Sequence, residues 1–421
     1  MIPIYLKNEF EKINSRKLYS KEVRNFREKA FSELLEKGLP NKKSEEWRFT
    51  DLSMINKGDF KISKSQNKPR KDINIANYDF ESFYTIVIYN GYFQKNLSPT
   101  PPGIKLASSF DFIKDKKWNT NQPRKSSFDL LNTAFMDSVL NLTVEKNTNI
   151  DKPLRILFIC SGKEELMISP RININLENSS SFNLIEQHVG NCDEYFYNGS
   201  IIINLGDNAK LDHVRIQNNS KKTINIANLH VQQKSDSNYS FNHFAFGSAL
   251  SRINLYAGLI GKRANCALNG LSLSNKNQHL DAHIITEHQA THCISSQNFK
   301  SILKDKSSGV FNGRSIVQNN AEKTSSSQSN KNLLLSEESF MNSNPQLEIY
   351  TDDVKCSHGS STGALEPEAL FYIRSRGIDQ TSAISLLVGG FASEIIEVIE
   401  NAKIKEYVTK YFDQWISENN Q

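Results

Sequence analysis

Four histidines in a short stretch are the first residues whose types and spacing suggest chemistry. His279, His283, His288 and His292 lie within fourteen residues, and the two outer pairs have the i, i+4 spacing that places metal ligands on one face of a helix. The surrounding segment LDAHIITEH is typical of a strand, however, where positions i and i+4 lie about 13 Å apart. One ion cannot bind both members of such a pair, so we expect structural histidines with hydrogen-bond partners.

A second candidate is the thiol–imidazole pair in the sequence Cys356-Ser357-His358-Gly359. In an extended strand the side chains of Cys356 and His358 share a face about 7 Å apart. They need a bend in the backbone, or ligands from a second chain, to hold one ion. Thiolate and imidazole suit iron or a sulfur species. From the residues alone, a structural role and a metal-binding role both stay open.

The motifs of several enzyme classes are missing from the sequence. It contains no GxxxxGK[ST] loop, no GxGxxG after a strand, no GxSxG and no HExxH. The sequence therefore gives no indication of P-loop ATP binding, of a nucleophile elbow or of a zinc-protease helix.

Composition describes a globular chain without an evident nucleic-acid or membrane partner. Its 421 residues are 38% hydrophobic and 23% charged, with a formal net charge of +5. Basic and acidic residues alternate, as in SRKLYSKEVRNFREKAFSELLEK, so we expect no basic stripe for nucleic acid. The N-terminus lacks a secretory pattern, and no run approaches the roughly 20 apolar residues of a membrane helix. Five widely spaced cysteines without a CxxC pair indicate free thiols and a cytoplasmic protein.

Helical spacing is confined to the two ends of the chain and one internal segment. Apolar residues recur at helical spacing over 20–37 and again over 128–136. Near the C-terminus, Pro367 marks the first turn of a short helix and Asp379 is the expected N-cap of the next. The last segment, 404–416, has a complete apolar stripe. That stripe packs on its own domain or docks a partner, and both remain open.

Short alternating segments fill the centre of the chain. Beyond Pro153, segments such as RININLE, SIIINL and TINIANLHVQQ follow one another, separated by Asn, Ser, Gly and Asp. No proline occurs between Pro170 and Pro345, as expected where strand donors are all paired. So many strands without helices between them leave a sandwich, a barrel or a solenoid. Asn and Ser at recurrent corners favour the solenoid, whose open ends the terminal helices would cap, although no fixed-length repeat is found.

The stretch 310–396 contains a series of distinctive elements. They are F-x-G, N-K-N-L-L-L, P-x-L-E-I, D-D-V-K-C-S-H-G and L-F-Y-x-x-S-R-G-I. In this order and spacing the stretch resembles the SufB/SufD family of iron–sulfur cluster assembly proteins. Upstream, KKSEEWRFTDL at 42–52 is similar to the family's N-terminal tryptophan motif. SufB-type chains have Cys-Gly-x-His after the L-L-L run, where this chain has SEES at 336–339. His358 is also followed by Gly-Ser rather than Glu-Ala, and both departures favour the SufD type.

The resemblance implies a mainly β chain in three parts. These are an N-terminal helical region over 1–75, a right-handed parallel β-helix over 76–362 and a C-terminal helical domain over 363–421. It also implies a SufB-like subunit that pairs with the β-helix and a SufC-like ABC-type ATPase that docks on the C-terminal helices. The candidate docking residues in those helices are Phe371, Tyr372, Arg374, Arg376 and Phe391.

The implied role is a non-catalytic scaffold. The nascent cluster would form at the interface with the SufB-like subunit, with His358 as candidate ligand and Cys356 beside it. We expect no tightly bound cofactor, only transient iron or a transient cluster. Two alternatives stay open: a homodimer that stores or relays iron, and a β-helix carbohydrate-active enzyme. The enzyme is disfavoured because the sequence has neither an export signal nor a cluster of acidic residues on one face.

Overall fold

The computed structural model describes residues 2–16, 19–63, 81–114, 125–162, 165–190 and 194–419. Within these ranges the α-helices are α1 (Ile4–Asn14), α2 (Lys21–Lys37), α3 (Ser53–Lys57), α4 (Ser127–Phe135), α5 (Pro367–Ser375), α6 (Gln380–Ile396) and α7 (Ala402–Asn419). The strands are β1 (Lys61–Ile62), β2 (Tyr84–Tyr89), β3 (Tyr92–Phe93), β4 (Ile104–Ala107), β5 (Val139–Val144), β6 (Leu154–Cys160), β7 (Leu166–Ile168), β8 (Arg171–Leu176), β9 (Ser181–Gly190), β10 (Tyr195–Leu205), β11 (Lys210–Gln217), β12 (Ile224–Gln233), β13 (Asn238–Ala245), β14 (Leu250–Leu259), β15 (Asn265–Ser274), β16 (His279–His288), β17 (Ile294–Leu303), β18 (Ser308–Val317), β19 (Thr324–Leu334), β20 (Phe340–Ile349) and β21 (Val354–Ala364).

Successive strands alternate between two sheets. Sheet 1 has the order β20-β18-β16-β14-β12-β10-β8-β5-β4, and sheet 2 has the order β21-β19-β17-β15-β13-β11-β9-β6-β2-β3. From β5 onward the neighbours within each sheet are parallel, so each coil contributes one strand to each sheet. The result is a parallel β-solenoid of about eight turns between helices at both ends of the chain, which confirms the predicted fold class.

The coils differ in length, which explains why no fixed repeat was found in the sequence. Ile224 pairs with Leu250, a step of 26 residues, whereas Ser308 pairs with Phe340, a step of 32 residues. The extra residues lie in the connections, because the paired strands themselves remain about ten residues long.

One corner of the solenoid repeats a left-handed backbone conformation. In successive coils the residue at this corner has φ between 57° and 63°, and its N–H donates to a carbonyl of the next coil. The corner residues are Ser179, Asn208, Asp236, Arg263, His292 and Lys323. Only some are the Asn or Asp that tolerate this conformation best, so the corner is dictated by coil stacking as well as by residue type.

Apolar side chains fill the inside of the solenoid, and helices cover parts of both outer faces. Inside, Leu229, Leu255 and Ile284 stack in register across three coils of sheet 1. The N-terminal helices and α4 pack on the outer face of sheet 1, while α6 and α7 pack on the outer face of sheet 2. Among the described helices, none is long and apolar enough to span a bilayer.

The predicted N-cap at Asp379 is confirmed, and other helix and hairpin ends also have local causes. Helix α2 begins after Ser20, whose side chain accepts from the Val23 N–H, and it ends at Gly38 with φ 71°. Asp379 caps α6 by accepting from the Ser382 N–H. The turn at Asn90–Gly91 joins two antiparallel strands, and positive φ at both residues matches a tight hairpin.

Candidate functional site

Cys356 and His358 lie on the last strand of the solenoid. Strand β21 has β19 as its neighbour in sheet 2, and β20 likewise ends sheet 1. The final coil therefore presents two strand edges at the same end of the molecule, where the parallel register continues no further within the described chain. An unpaired edge of this kind exposes a row of backbone donors and acceptors.

The strand register places both side chains on the inner side of the last coil. Cys356 is opposite Ser326 and His358 is opposite Gln328. Both β19 residues are buried and donate hydrogen bonds to Ser315 of sheet 1, across the interior. Since in-register parallel partners share a face, the β21 side chains point the same way. No further coil covers them in the described chain, so Cys356 is half-buried and His358 is exposed.

A hydrogen bond fixes the tautomer of His358. Its Nδ1 lies 3.2 Å from the backbone oxygen of Pro345 in β20. A carbonyl oxygen can only accept, so Nδ1 must hold the proton and Nε2 keeps its lone pair. A backbone carbonyl behind one ring nitrogen is the usual way to orient a histidine toward a metal at the other. His358 therefore has the geometry of a ligand.

Cys356 is less ready to bind a metal. Partial burial raises the pKa of its thiol, and a backbone hydrogen bond at Ser326 offsets this only in part. The thiol is therefore protonated at neutral pH unless a cation stabilises the thiolate. Among the described residues, no group of three or more His, Cys, Asp or Glu side chains could hold a metal ion. This end of the chain supplies at most part of a ligand set.

The histidines of β16 have different partners and do not converge. His279 Nδ1 lies 2.7 Å from Ser308 Oγ, and His283 Nδ1 accepts from Arg252 at 3.0 Å. His288 points into the solenoid, where its Nε2 lies 2.8 Å from Ser295 Oγ. Hydrogen bonds of this kind are what we expect of structural histidines.

The five candidate docking residues divide into two groups. Phe371 and Tyr372 on α5 are 74% and 60% exposed, and Arg376 donates to the Tyr372 hydroxyl at 2.8 Å. Arg374 is exposed on the same helix. Phe391 on α6 is half-buried instead, with the Lys300 ammonium 4.5 Å from its ring centroid. Helix α5 has no buried residue, so it projects from the body of the protein.

The apolar stripe of the last helix packs on its own solenoid. Ile404, Val408 and Phe412 on α7 are buried in one cluster with the outer face of sheet 2. Gln187 of β9 donates to the hydroxyls of Tyr407 and Tyr411. Of the two alternatives left by the sequence, the stripe is therefore an intramolecular contact.

A buried ion cluster inside the solenoid was missed in the sequence. Arg215 Nε donates to Glu186 Oε1 at 3.0 Å, and His188 contacts the same oxygen. Burial alone would raise the pKa of Glu186, but the charge of Arg215 and hydrogen bonds from His188 and His213 hold it well below its usual range. The inner residues alternate with Ile185 and similar apolar residues covered by α7, so both strand faces are buried. Alternation alone could not indicate which face was inside.

The described cysteines form no disulfide bond, as the sequence predicted. They are Cys160, Cys266, Cys293 and Cys356, and Cys192 lies outside the described residues. Burial raises the pKa of the Cys266 thiol well above its usual value. Cys356 is thus the described cysteine nearest to solvent.

Two family profiles match the chain in succession. Residues 5–156 match the SufBD protein N-terminal region, and residues 158–391 match the SufBD core domain of SUF system FeS cluster assembly. The second match includes both strands of the last coil and helix α5, and thus Cys356 and His358.

Relatives with similar length support the same assignment. The chain is 29% identical to the iron–sulfur cluster assembly protein SufD of Escherichia coli over 381 residues, which is 89% of each chain. It is 30% identical to a SufBD family iron–sulfur cluster assembly protein of Synechocystis, covering 87% of this chain and 85% of the relative. A chloroplastic protein of Arabidopsis thaliana, ABCI7, is 28% identical over 91% of this chain and 84% of its own. The chain therefore belongs to the SufB/SufD family of the SUF iron–sulfur cluster assembly system, and within that family it is SufD-like.

Proposed function

We propose that this chain is a non-catalytic scaffold subunit that supplies part of the site where a nascent iron–sulfur cluster forms. The observation that supports this most is the last coil, which presents His358 Nε2 beside an unpaired strand edge. A histidine and a protonated thiol are too few ligands for a cluster, so a second chain must complete the set. Iron and sulfide are then the cargo of the assembly, and this chain holds no resident cofactor.

A SufB-like subunit is the proposed partner at that edge. Strands β20 and β21 are ten and eleven residues long, enough for several backbone hydrogen bonds to a second solenoid. Three large apolar side chains at this end, Phe340, Ile349 and Tyr350, are between 41% and 57% exposed. Small residues such as Gly359 and Gly363 leave space beside β21 for another strand. The partner would contribute the thiolate that this chain lacks.

A SufC-like ATPase is the proposed partner of the C-terminal helices. Phe371 and Tyr372 on α5 and Leu386 on α6 are large apolar side chains exposed to solvent. Arg374 and Arg376, at the end of α5, are exposed as well. Exposed aromatic and arginine side chains are typical of the centre of a protein interface. ATP-driven closure of two ATPase subunits would pull on these helices and change the interface at β20 and β21. Phe391 would then act by anchoring α6 to Lys300 rather than by direct contact.

Co-expression with the SufB-like and SufC-like chains of the same source, followed by native mass spectrometry, tests the proposal. We expect a particle with one copy of this chain, one SufB-like chain and a SufC-like chain on each helical domain. Recovery of this chain only as a homodimer through β20 and β21 would favour the storage or relay role instead. A persistent monomer would contradict both. We place the assembly in the cytoplasm, as the free-thiol pattern of the sequence predicts.

A further inference from the structure

Helix α6 contains two adjacent glycines in its interior, Gly389 and Gly390. Glycine in the middle of a helix is less favourable than alanine, because it loses more backbone freedom on folding. Neither residue has a positive φ, and a side-chain carbon built at either position meets nothing within 4 Å among the described residues. Neither backbone conformation nor close packing therefore requires glycine here. What the pair does provide is a point at which the helix bends easily.

The half of α6 after the glycine pair is fixed to the solenoid. Lys300 on β17 is only 3% exposed, and its Nζ donates to the Phe391 carbonyl at 2.9 Å and to the Glu394 carboxylate at 2.5 Å. Ile395 is fully buried in the apolar cluster on the outer face of sheet 2. These contacts begin at the residue directly after Gly390, so this half of the helix stays with the sheet.

The half of α6 before the glycine pair borders a cavity of about 370 Å³. Most of the side chains that line the cavity are apolar, and they come from three sides. Leu334 and Ala364 end the strands β19 and β21, Ile384 and Val388 lie on α6, and Trp415 lies on α7. Side chains that border an empty apolar space lack dispersion contacts on that side. A movement of this half of α6 into the cavity would recover such contacts.

Helix α5 and the first half of α6 form one arm, which extends over residues 365–388. The two helices contact each other, and Gly377 in the short connection between them has φ 85°. Every residue of α5 is described and none is buried, so no buried side chain holds this helix to the solenoid. The arm is attached to the body of the protein at the end of β21, at Ala364, and at the glycine pair.

We propose that Gly389 and Gly390 form a hinge on which the arm moves between its position in this structure and a closed position that fills the cavity. Closure gains apolar contacts beneath the arm and bends α6 at the glycine pair. Because Ala364 is the other attachment, closure also displaces the end of β21. The hinge itself needs no partner. A protein that binds the exposed side chains of α5 in only one position shifts the balance between the two.

Distances between spin labels on the whole isolated chain, measured by double electron–electron resonance, test the hinge. One label is placed at Glu368 on α5, and the other at Lys262 or, in a second preparation, at Asn277. All three positions are exposed, and the two reference positions lie in successive turns at the two ends of β15. The labels are attached to introduced ketone side chains, so the native cysteines stay unmodified. We expect one distance that matches this structure and a second in about a tenth or more of the molecules.

A Gly389→Ala/Gly390→Ala double variant should lose the second distance, because alanine stiffens the helix at the proposed hinge. Ser385→Ala is the matched control. It raises helix propensity in the same half of α6 and leaves the glycine pair intact, so it should keep both distances.

Ala364→Phe tests the closed position separately. Ala364 is exposed at the end of β21 and lines the cavity, so a phenylalanine there can occupy the cavity without overpacking the core. We expect this variant to lose the second distance although both glycines are present. A single distance in the unmodified chain, or a second distance that persists in either variant, would overturn the proposal. Such a result would leave the proposed docking of an ATPase on α5 untouched, because no partner takes part in this measurement.

Discussion

At the scale of single residues, the orientation of the His358 ring decides which of its two nitrogens is available to a ligand. Its Nδ1 donates to a backbone oxygen of strand β20 in the opposite sheet, so the ring cannot turn without losing that bond. The nitrogen with the lone pair is thereby fixed at the edge where a second chain would arrive. The last coil itself therefore preorganises the proposed ligand.

Replacing His358 by alanine should remove cluster formation and leave the complex intact. The imidazole lies on an exposed strand and packs little, so its loss affects coordination rather than folding. We expect the iron and acid-labile sulfide content of the co-purified complex to fall at least about tenfold. His292→Asn, at an exposed corner, is the matched control and should retain both. A His358→Ala complex with full cluster content would rule out the ligand role.

Buried His288 should make stability fall in mild acid. Burial lowers its pKa from 6.5 to about 4, so between these values the unfolded chain binds a proton that the folded chain does not. The part of the folding stability that depends on a neutral His288 is fully present above about pH 6.5 and decreases as the pH falls toward 4. It amounts to about 2 kcal/mol between pH 7.5 and pH 5.

Urea unfolding of the His288→Gln variant at pH 7.5 and pH 5 measures this contribution. The difference in free energy of unfolding between the two pH values should be about 2 kcal/mol smaller than in the unmodified chain. His292→Asn should show the same difference as the unmodified chain, because that residue is exposed. An unchanged difference in His288→Gln would mean that His288 binds its proton equally in the folded and the unfolded chain, which would contradict the lowered pKa.

At the scale of elements, strand β21 is an edge strand that has a single lysine, Lys355, near its start. Lysine on the outer face of an edge strand blocks pairing with another chain, and Gly359 offers a place to add one. A side chain at Gly359 meets nothing within 4 Å, so Gly359→Lys should change the stability of the isolated chain by less than about 0.5 kcal/mol. We expect it to reduce recovery of the SufB-like partner in co-purification.

Ser327→Lys is the matched control for the edge variant. Ser327 lies one strand inward on β19, is exposed and pairs with Ser357 of β21. The Ser327→Lys substitution adds the same charge to the outer face of sheet 2 without placing a lysine on the edge strand. Equal loss of the partner in both variants would show that charge on this face, rather than access to the edge, controls association.

The elements themselves could mostly be predicted, because their signals are local. The capped helices and the alternating strands follow from residue types within short windows, as at Ser20, Gly38 and Asp379. The fate of the α7 stripe could not be predicted, because an apolar face does not specify its partner. In the structure its partner is the outer face of sheet 2, whose apolar residues alternate with inward polar ones such as Glu186.

At the scale of the whole molecule, the sequence indicated the solenoid only through the resemblance and the strand texture. The repeat was obscured because coil length varies and because corner positions accept residues as different as Asn208, Arg263 and Lys323. The pair Cys356 and His358 could be identified because both residues belong to one short motif. The buried pair of Arg215 and Glu186 could not, since the two residues are 29 positions apart and meet only when their strands pair.

A solenoid in which each coil contacts only its neighbours should have a gradient of stability along its axis. The central coils are covered on both sides, whereas most residues of β21 are exposed. Hydrogen–deuterium exchange should therefore be faster for backbone amides of β20 and β21 than for those of β12 and β14. Addition of the SufB-like partner should slow exchange in the last coil in particular. Uniform exchange along the axis, or protection elsewhere, would contradict the proposed interface.

The exposed strand edges of the last coil also limit how much of this chain a cell can produce without aggregation. Two adjacent strand edges with exposed Phe340, Ile349 and Tyr350 form a template on which unrelated extended segments can aggregate. A molecule of this chain without its partner is therefore prone to aggregate. We therefore expect balanced synthesis of the two subunits to matter for solubility, and overproduction of this chain alone to yield inclusion bodies that co-production of the partner prevents.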